Sequence, residues 1–264
     1  MKTIRLIGIV LLTMLMSVCY SACGDSSSDD ESNNSDKGGG EKTSTNKLLV
    51  KETVETEINT WVTEFTYDNN GRLIQYKYRK SSEPAITHSI AYNNNSIIEV
   101  SSKGRTCEYT LENGLITRLS YSDYPNYFET YTYDNNGYMT AWRTTSSDYY
   151  EDNIWNGGNL VRKEGQVRTR KYIRTYEYTS YLAPTDFHYL ITDDDFGFVG
   201  HFGKSSRNLP SKITDTSVST GKKYWEQYLE WVIEDGLPVK VIILDNDFKG
   251  ENSYLTFTIT YEWK

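Results

Sequence analysis

The sequence predicts a mostly β protein: an antiparallel β-meander of repeated hairpins curling into a strongly curved sheet or incomplete barrel. Three observations carry this. The word Tyr67-Asp68-Asn69-Asn70-Gly71 recurs unchanged at Tyr133-Asp134-Asn135-Asn136-Gly137. Degenerate copies stand at Tyr92-Asn93-Asn94-Asn95-Ser96, at Tyr109 with Glu112-Asn113-Gly114, and at Trp155-Asn156-Gly157-Gly158. The 88 residues from Tyr67 to Trp155 fall into four steps averaging 22, the length of two short strands and two turns. The segments between the words alternate apolar with polar side chains, the period of a half-buried strand.

Residues 1–22 read as a lipoprotein signal peptide. Lys2 and Arg5 precede an apolar run from Leu6 to Val18, and Ser21-Ala22 place small residues before Cys23. The run is shorter than the about 20 residues that a membrane-spanning helix needs, and polar residues follow it. Cleavage before Cys23 is expected to leave that cysteine lipidated, with two or more acyl chains as stable anchoring requires. The alternative is an ordinary secretory signal with incidental cysteines.

Residues 23–46 are the expected tether. Gly24 to Asn46 is almost entirely Ser, Asp, Asn, Gly, Glu, Lys and Thr, which cannot bury enough apolar surface to offset the entropy of ordering. Its opening, Asp25 to Glu31, resembles the acidic export signal by which some Gram-negative lipoproteins reach the outer face of the outer membrane. An outer-membrane, surface-exposed location is therefore expected, with a periplasm-facing anchor as the alternative.

The full chain carries a net charge of −8, and loss of Lys2 and Arg5 takes it to −10. Nothing in that balance attracts nucleic acid, and no nucleic-acid partner is expected. Cys19 leaves with the signal and Cys23 is acylated, so Cys107 is the sole remaining thiol and no intramolecular disulfide can form. Cys107 is expected to be a buried structural thiol.

Residues 47–264 are expected to form a single domain. A tight hairpin reversal needs positive φ at one or two positions, which Asn tolerates and Gly adopts freely. Trp61, Phe65 and Tyr67 share one strand face; Val62, Glu64 and Thr66 share the other. Towards the carboxy terminus, Trp225, Leu229, Trp231 and Ile233 oppose Tyr224, Glu226, Tyr228 and Glu230. Phe257, Ile259, Tyr261 and Trp263 oppose Thr256, Thr258, Thr260 and Glu262. The Asn-Gly turns should then lie along one edge, with the longer connections 80–86, 122–126 and 146–151 along the other. The count is about 14 strands, more than open twisted sheets usually hold without curling or closing.

Tyr67 to Leu73 resembles the unit of the tyrosine-aspartate repeat proteins, Tyr-Asp-x-x-Gly-Arg-Leu. The second clear unit departs from it with Tyr138-Met139, and only residues 60–165 keep the period. The chain also resembles uncharacterised lipoproteins of gut-dwelling Gram-negative bacteria that add a segment like His201-Phe202-Gly203-Lys204-Ser205-Ser206-Arg207-Asn208-Leu209-Pro210. The resemblance implies a β-meander and a cell-envelope location, and carries over no catalytic residue.

The period breaks over an insertion near residues 181–215. Within it Pro184-Thr185-Asp186 can start a short helix over 184–192, with Phe187, Leu190 and Ile191 on one face, plugging the curved sheet. Gly197, Gly200 and Gly203 would end it in a tight loop. A buried strand fits the same run.

Chemistry-bearing motifs are sparse. His88, His188 and His201 have no metal-ligand spacing, although His188 and His201 flank the plug and could meet. Asp193-Asp194-Asp195 could hold a cation, but lacks the register of a calcium loop and reads as solvated. Asp245-Asn246-Asp247-Phe248-Lys249-Gly250 comes closer, yet a hairpin loop between Leu244 and Tyr254 explains it. There is no Gly-x-Ser-x-Gly elbow, no Cys/His pairing and no phosphate loop. No catalytic residue, no cofactor and no metal is expected, and the protein is not read as an enzyme.

The expected function is a surface-displayed binding or structural module in the cell envelope, with a glycan or an envelope protein as partner. Its 23 tyrosines and 6 tryptophans could stack on sugars. Tyr124, Tyr127, Tyr149 and Tyr150, in or beside the longer loops, are the candidate contacts. The alternatives are a carbohydrate-active hydrolase using carboxylates on the concave face, and a subunit of an envelope assembly.

Overall fold

The computed structural model describes residues 47–146, 148–184, 187, 201–247 and 254–264. The strands are β1 (Leu49–Glu55), β2 (Thr60–Tyr67), β3 (Leu73–Lys80), β4 (Ile86–Tyr92), β5 (Ser96–Ser101), β6 (Thr106–Glu112), β7 (Leu115–Tyr121) and β8 (Tyr124–Tyr133). They continue as β9 (Met139–Thr144), β10 (Tyr149–Asn156), β11 (Asn159–Val167), β12 (Arg170–Leu182), β13 (Asn208–Ser217), β14 (Lys223–Glu234), β15 (Leu237–Asp247) and β16 (Tyr254–Trp263). Each pairs antiparallel with its sequence neighbours, and β1 pairs with β16, Glu52 opposite Tyr261 and Val54 opposite Ile259. The meander is therefore a closed barrel of 16 strands, correcting both the incomplete barrel and the count of about 14. Closure removes the unpaired edges that an open sheet would leave exposed.

No helix occurs among the described residues. The helix expected over 184–192 lies mostly outside them, as do His188, Gly197, Gly200 and the acidic triplet Asp193, Asp194 and Asp195. Phe187 is described, buried edge-on against Trp231 and Tyr261 with ring centroids 6.2 and 5.5 Å away.

The repeated word has a part for each letter. Asp68 Oδ1 accepts hydrogen bonds from the backbone N–H groups of Asn70 and Arg72, both at 2.9 Å, and Gly71 takes φ 78°. Asp134 does the same for Asn136 and Tyr138, with Gly137 at φ 82°. The tyrosine points inward, and its phenol donates to a carbonyl at the start of the preceding strand: Tyr67 to Leu49 (2.8 Å), Tyr92 to Leu73 (2.9 Å), Tyr133 to Ile116 (2.7 Å) and Tyr178 to Leu160 (2.5 Å). Tryptophan Nε1 replaces it in β10, β14 and β16, where Trp155, Trp231 and Trp263 donate to Met139, Pro210 and Pro238. Only β6 breaks the series, with Leu111 in that position. The repeat thus runs around the whole barrel rather than over residues 60–165.

Register shifts beside these turns, at Thr66/Tyr67, Thr110/Leu111, Thr132/Tyr133 and Ile154/Trp155, let inward residues stand three apart. Leu73 and Tyr76, and Ile116 and Leu119, are all buried for this reason. Inward side chains form the core; Ile97, Leu119, Leu160, Val241 and Ile259 are wholly buried. The outward side chains of β6 and β16 are polar: Thr106, Glu108 and Thr110 on β6, and Thr256, Thr258, Thr260 and Glu262 on β16. Exposed apolar residues are scattered: Val100 lies between Ser89 and Thr106, Val232 opposite Lys240, and Val167 opposite Tyr149.

Candidate functional site

The two ends of the barrel are built differently. One collects the turns after the even strands, and there the segment His201–Asn208 runs across the turns like a strap. Ile116 N–H donates to His201 O (2.7 Å) and His201 Nδ1 to Gly114 O (2.7 Å). Lys204 N–H then donates to Gly137 O (2.9 Å), and Arg207 N–H to Gly158 O (2.8 Å). Three consecutive hairpins are fastened in this way. Phe202 is fully buried below the strap, edge-on to Tyr109 and Tyr131. Gly203 has φ 84°, and a Cβ there would lie 2.4 Å from Gly137 O, so no other residue fits without displacement. The chain also enters the barrel here, where Leu48 and Lys264 exchange backbone hydrogen bonds at 2.9 Å.

Toward the opposite end the inner wall turns acidic. Glu99 on β5 accepts from Tyr76 (2.6 Å), His88 Nδ1 (2.5 Å) and Tyr109 (2.9 Å). Glu129 on β8 accepts from Tyr121 (2.7 Å), Tyr131 (2.9 Å) and Trp142 (2.6 Å). Glu151 on β10 pairs with the fully buried Lys163 (2.8 Å) and accepts from Tyr172. Burial alone would raise the Glu99 carboxyl, but the bonds from His88, Tyr76 and Tyr109 outweigh it and hold the group below the ordinary glutamate range. Glu52, buried on β1, is pushed well above that range by desolvation alone. Sequence reading passed over these acids; the available signal was a glutamate in the inward phase of an alternating strand, as in Ile97-Ile98-Glu99-Val100-Ser101.

Tyr124 and Tyr127 open β8, and Tyr149 and Tyr150 open β10, all at this acidic end with β9 between them. They lie in strands rather than in long loops, because the connections 122–123 and 145–148 are short. Two strand spacings put the pairs about 10 Å apart. Tyr124 is 60% exposed. Tyr127 leans on Tyr121, with centroids 5.7 Å apart; Arg168 Nε donates to the Tyr149 hydroxyl (3.1 Å); the Arg143 guanidinium sits 5.3 Å from the Tyr150 ring.

His88 stacks on Tyr76 (4.4 Å) beside Glu99, and His201 is fixed to the Gly114 turn, so each has a structural partner. Cys107 is half-buried against the core rather than wholly enclosed. Among the described residues no three His, Cys, Asp or Glu side chains stand together as a metal site. Asp245 and Asn246 lie within β15, and residues 248–250 of that acidic run fall outside the described residues.

No family model and no curated protein matches the chain. Solved structures do share its fold. A porin-like protein from Bacteroides uniformis aligns with a TM-score of 0.69 at 14% identity, covering 82% of this chain and 98% of that one. A second porin-like protein, from Bacteroides vulgatus, aligns with a TM-score of 0.55 at 16% identity over the same shares. At these identities the likeness is one of fold.

Proposed function

We propose that this chain is an outer-membrane lipoprotein, anchored through Cys23 and displayed at the cell surface, whose barrel stands in water as a glycan-binding or structural module. The observation that carries the reading is which way the side chains face. A membrane-spanning barrel needs an outward apolar band about 25 Å tall and a wet, polar interior. Here threonines and charged residues face out, while Leu49, Ile97, Tyr109 and Phe202 fill the inside and the strap crosses one mouth. Likeness of fold to porin-like proteins does not require a pore, since fold and function are separable.

The aromatic end, with Tyr124 exposed and Tyr127, Tyr149 and Tyr150 within two strands of it, supports a glycan as ligand. The hydrolase alternative draws less support: Glu99, Glu129 and Glu151 are buried, and their carboxylates are already engaged by histidine, tyrosine, tryptophan and lysine donors. A subunit role resting on strand pairing is likewise disfavoured, because closure leaves no free edge.

Fractionating cells that express the full chain and its Cys23→Ser variant tests the anchor: the variant should move from the membrane to the soluble fraction without detergent. A variant that stays membrane-bound, or wild-type protein that makes liposomes permeable, overturns the water-facing barrel. On a glycan array the protein should bind, and alanine at all four tyrosines should abolish binding. Unchanged binding would refute these contacts.

A further inference from the structure

The hairpin turns joining β11 to β12 and β13 to β14 are neighbours at the end opposite the strap, held together by Val218 N–H donating to Lys171 O (3.1 Å). They carry Arg168, Arg170, Lys171, Lys222 and Lys223, all exposed, on a chain whose net charge is −8. The acids nearest to them are already engaged: Asp215 by Arg174 (2.7 Å), and Glu226, on the outward face of β14, by Lys212 (3.1 Å) and by Lys223 of the patch itself (2.7 Å). Among the described residues, Asp148 on the adjoining turn is an exposed acid beside them. Both arginines are held by tyrosines. Arg168 bonds the Tyr149 hydroxyl, and the Arg170 guanidinium lies 4.2 Å from the Tyr224 centroid.

We propose that these two hairpins bind an acidic glycan, one bearing carboxylate or sulfate groups. This rests on the glycan-binding reading above and names its ligand class. Arginine presents a planar fork that matches carboxylate and sulfate oxygens, and its pairing with tyrosine holds that fork in place. The ring of Tyr149 lies beside Arg168, where a sugar face can stack. An anionic lipid surface fits less well, because the chain enters the barrel at the strap end, leaving these turns at the far end from the anchor. The acidic remainder of the molecule repels polyanions, so attraction is confined to this patch.

The test uses the full mature chain with Cys23→Ser, probed with polygalacturonate, chondroitin sulfate, neutral dextran and phosphatidylglycerol vesicles. Both polyanions should bind at low salt and weaken steeply as salt rises to several times physiological strength. The triple variant Arg168→Glu, Arg170→Glu, Lys171→Glu should weaken polyanion binding about tenfold or more with an unchanged circular dichroism spectrum. Lys77→Glu with Arg79→Glu, on the outward wall of β3, should leave it unchanged. Equal binding by the triple variant, or tighter binding to the vesicles, overturns the proposal. If dextran binds through the four tyrosines while neither polyanion binds, the acidic-glycan inference fails and the broader glycan reading stands. If no glycan binds, both fail.

Discussion

At the strap end, the tyrosine and tryptophan donors reach backbone carbonyls at the strand starts, and His201–Asn208 bonds three turns in succession through its backbone. At the far end, inward polar groups meet each other instead, in carboxylate clusters around Glu99, Glu129 and Glu151. Backbone partners are supplied by the fold whatever the side chains, so the strap end behaves as a sealed structural cap. Side-chain clusters depend on chosen residues and on their protonation, so the far end is the more tunable half. Its rim also carries the exposed aromatic and cationic groups.

The sharpest way to break this contrast is Phe202→Ala, which removes a buried ring shared by Tyr109 and Tyr131 and should lower stability by about 3–5 kcal/mol in urea unfolding. Tyr127→Ala at the other end should cost far less. Gly203→Ala should cost about 2–4 kcal/mol, because the new Cβ meets Gly137 O in a left-handed backbone. Gly104→Ala has a similar φ of 88° but open space around it, and should cost only about 1–2 kcal/mol. Equal losses at the two glycines would show that the strap does not constrain the mouth.

Acid should act on the far end first. The folded Glu99 carboxyl is held below its unfolded value, so its stabilisation is complete above about pH 4.3 and is lost as pH falls through the lower folded value. Glu99→Gln should remove that acid dependence and cost about 2 kcal/mol at neutral pH. Glu52 has the opposite sign. Its raised folded value makes its contribution full below the unfolded range and lost as pH rises through the folded value, so Glu52→Gln should flatten the profile on that side. A smaller effect is expected of Tyr178→Phe, which removes one donor to Leu160 O and one partner of Ser206 and should cost about 1 kcal/mol. Tyr124→Phe should leave thermal unfolding unchanged.

Much of the strand architecture was legible in the chain. The alternation that put Phe257, Ile259 and Tyr261 on one face is the alternation of burial, and the Asn-Gly words are hairpin turns on a common end. The units in β14 and β16 escaped because the insertion and the longer strands β14 and β15 break the 22-residue spacing, although Glu234-Asp235-Gly236-Leu237 parallels Glu112-Asn113-Gly114-Leu115. The buried glutamates escaped because charge was read as solvent-facing, and the paired basic hairpins escaped because net charge averages them away. The tyrosine quartet, read as lying in or beside the longer loops, stands in strand starts that pack partly against their neighbours.

What the sequence by itself determined is local. An aspartate bonding amides two and four residues on, a glycine free to take positive φ, and side chains alternating in period two all act within one hairpin. Closure, the strap and the inner carboxylate clusters were decided only by the tertiary structure. Lys51 and Glu262 meet 2.5 Å apart across a separation of 211 residues, and His201 reaches Gly114 across 87. Such contacts depend on how many strands complete the circle and on what their twist accumulates to, which no single hairpin specifies.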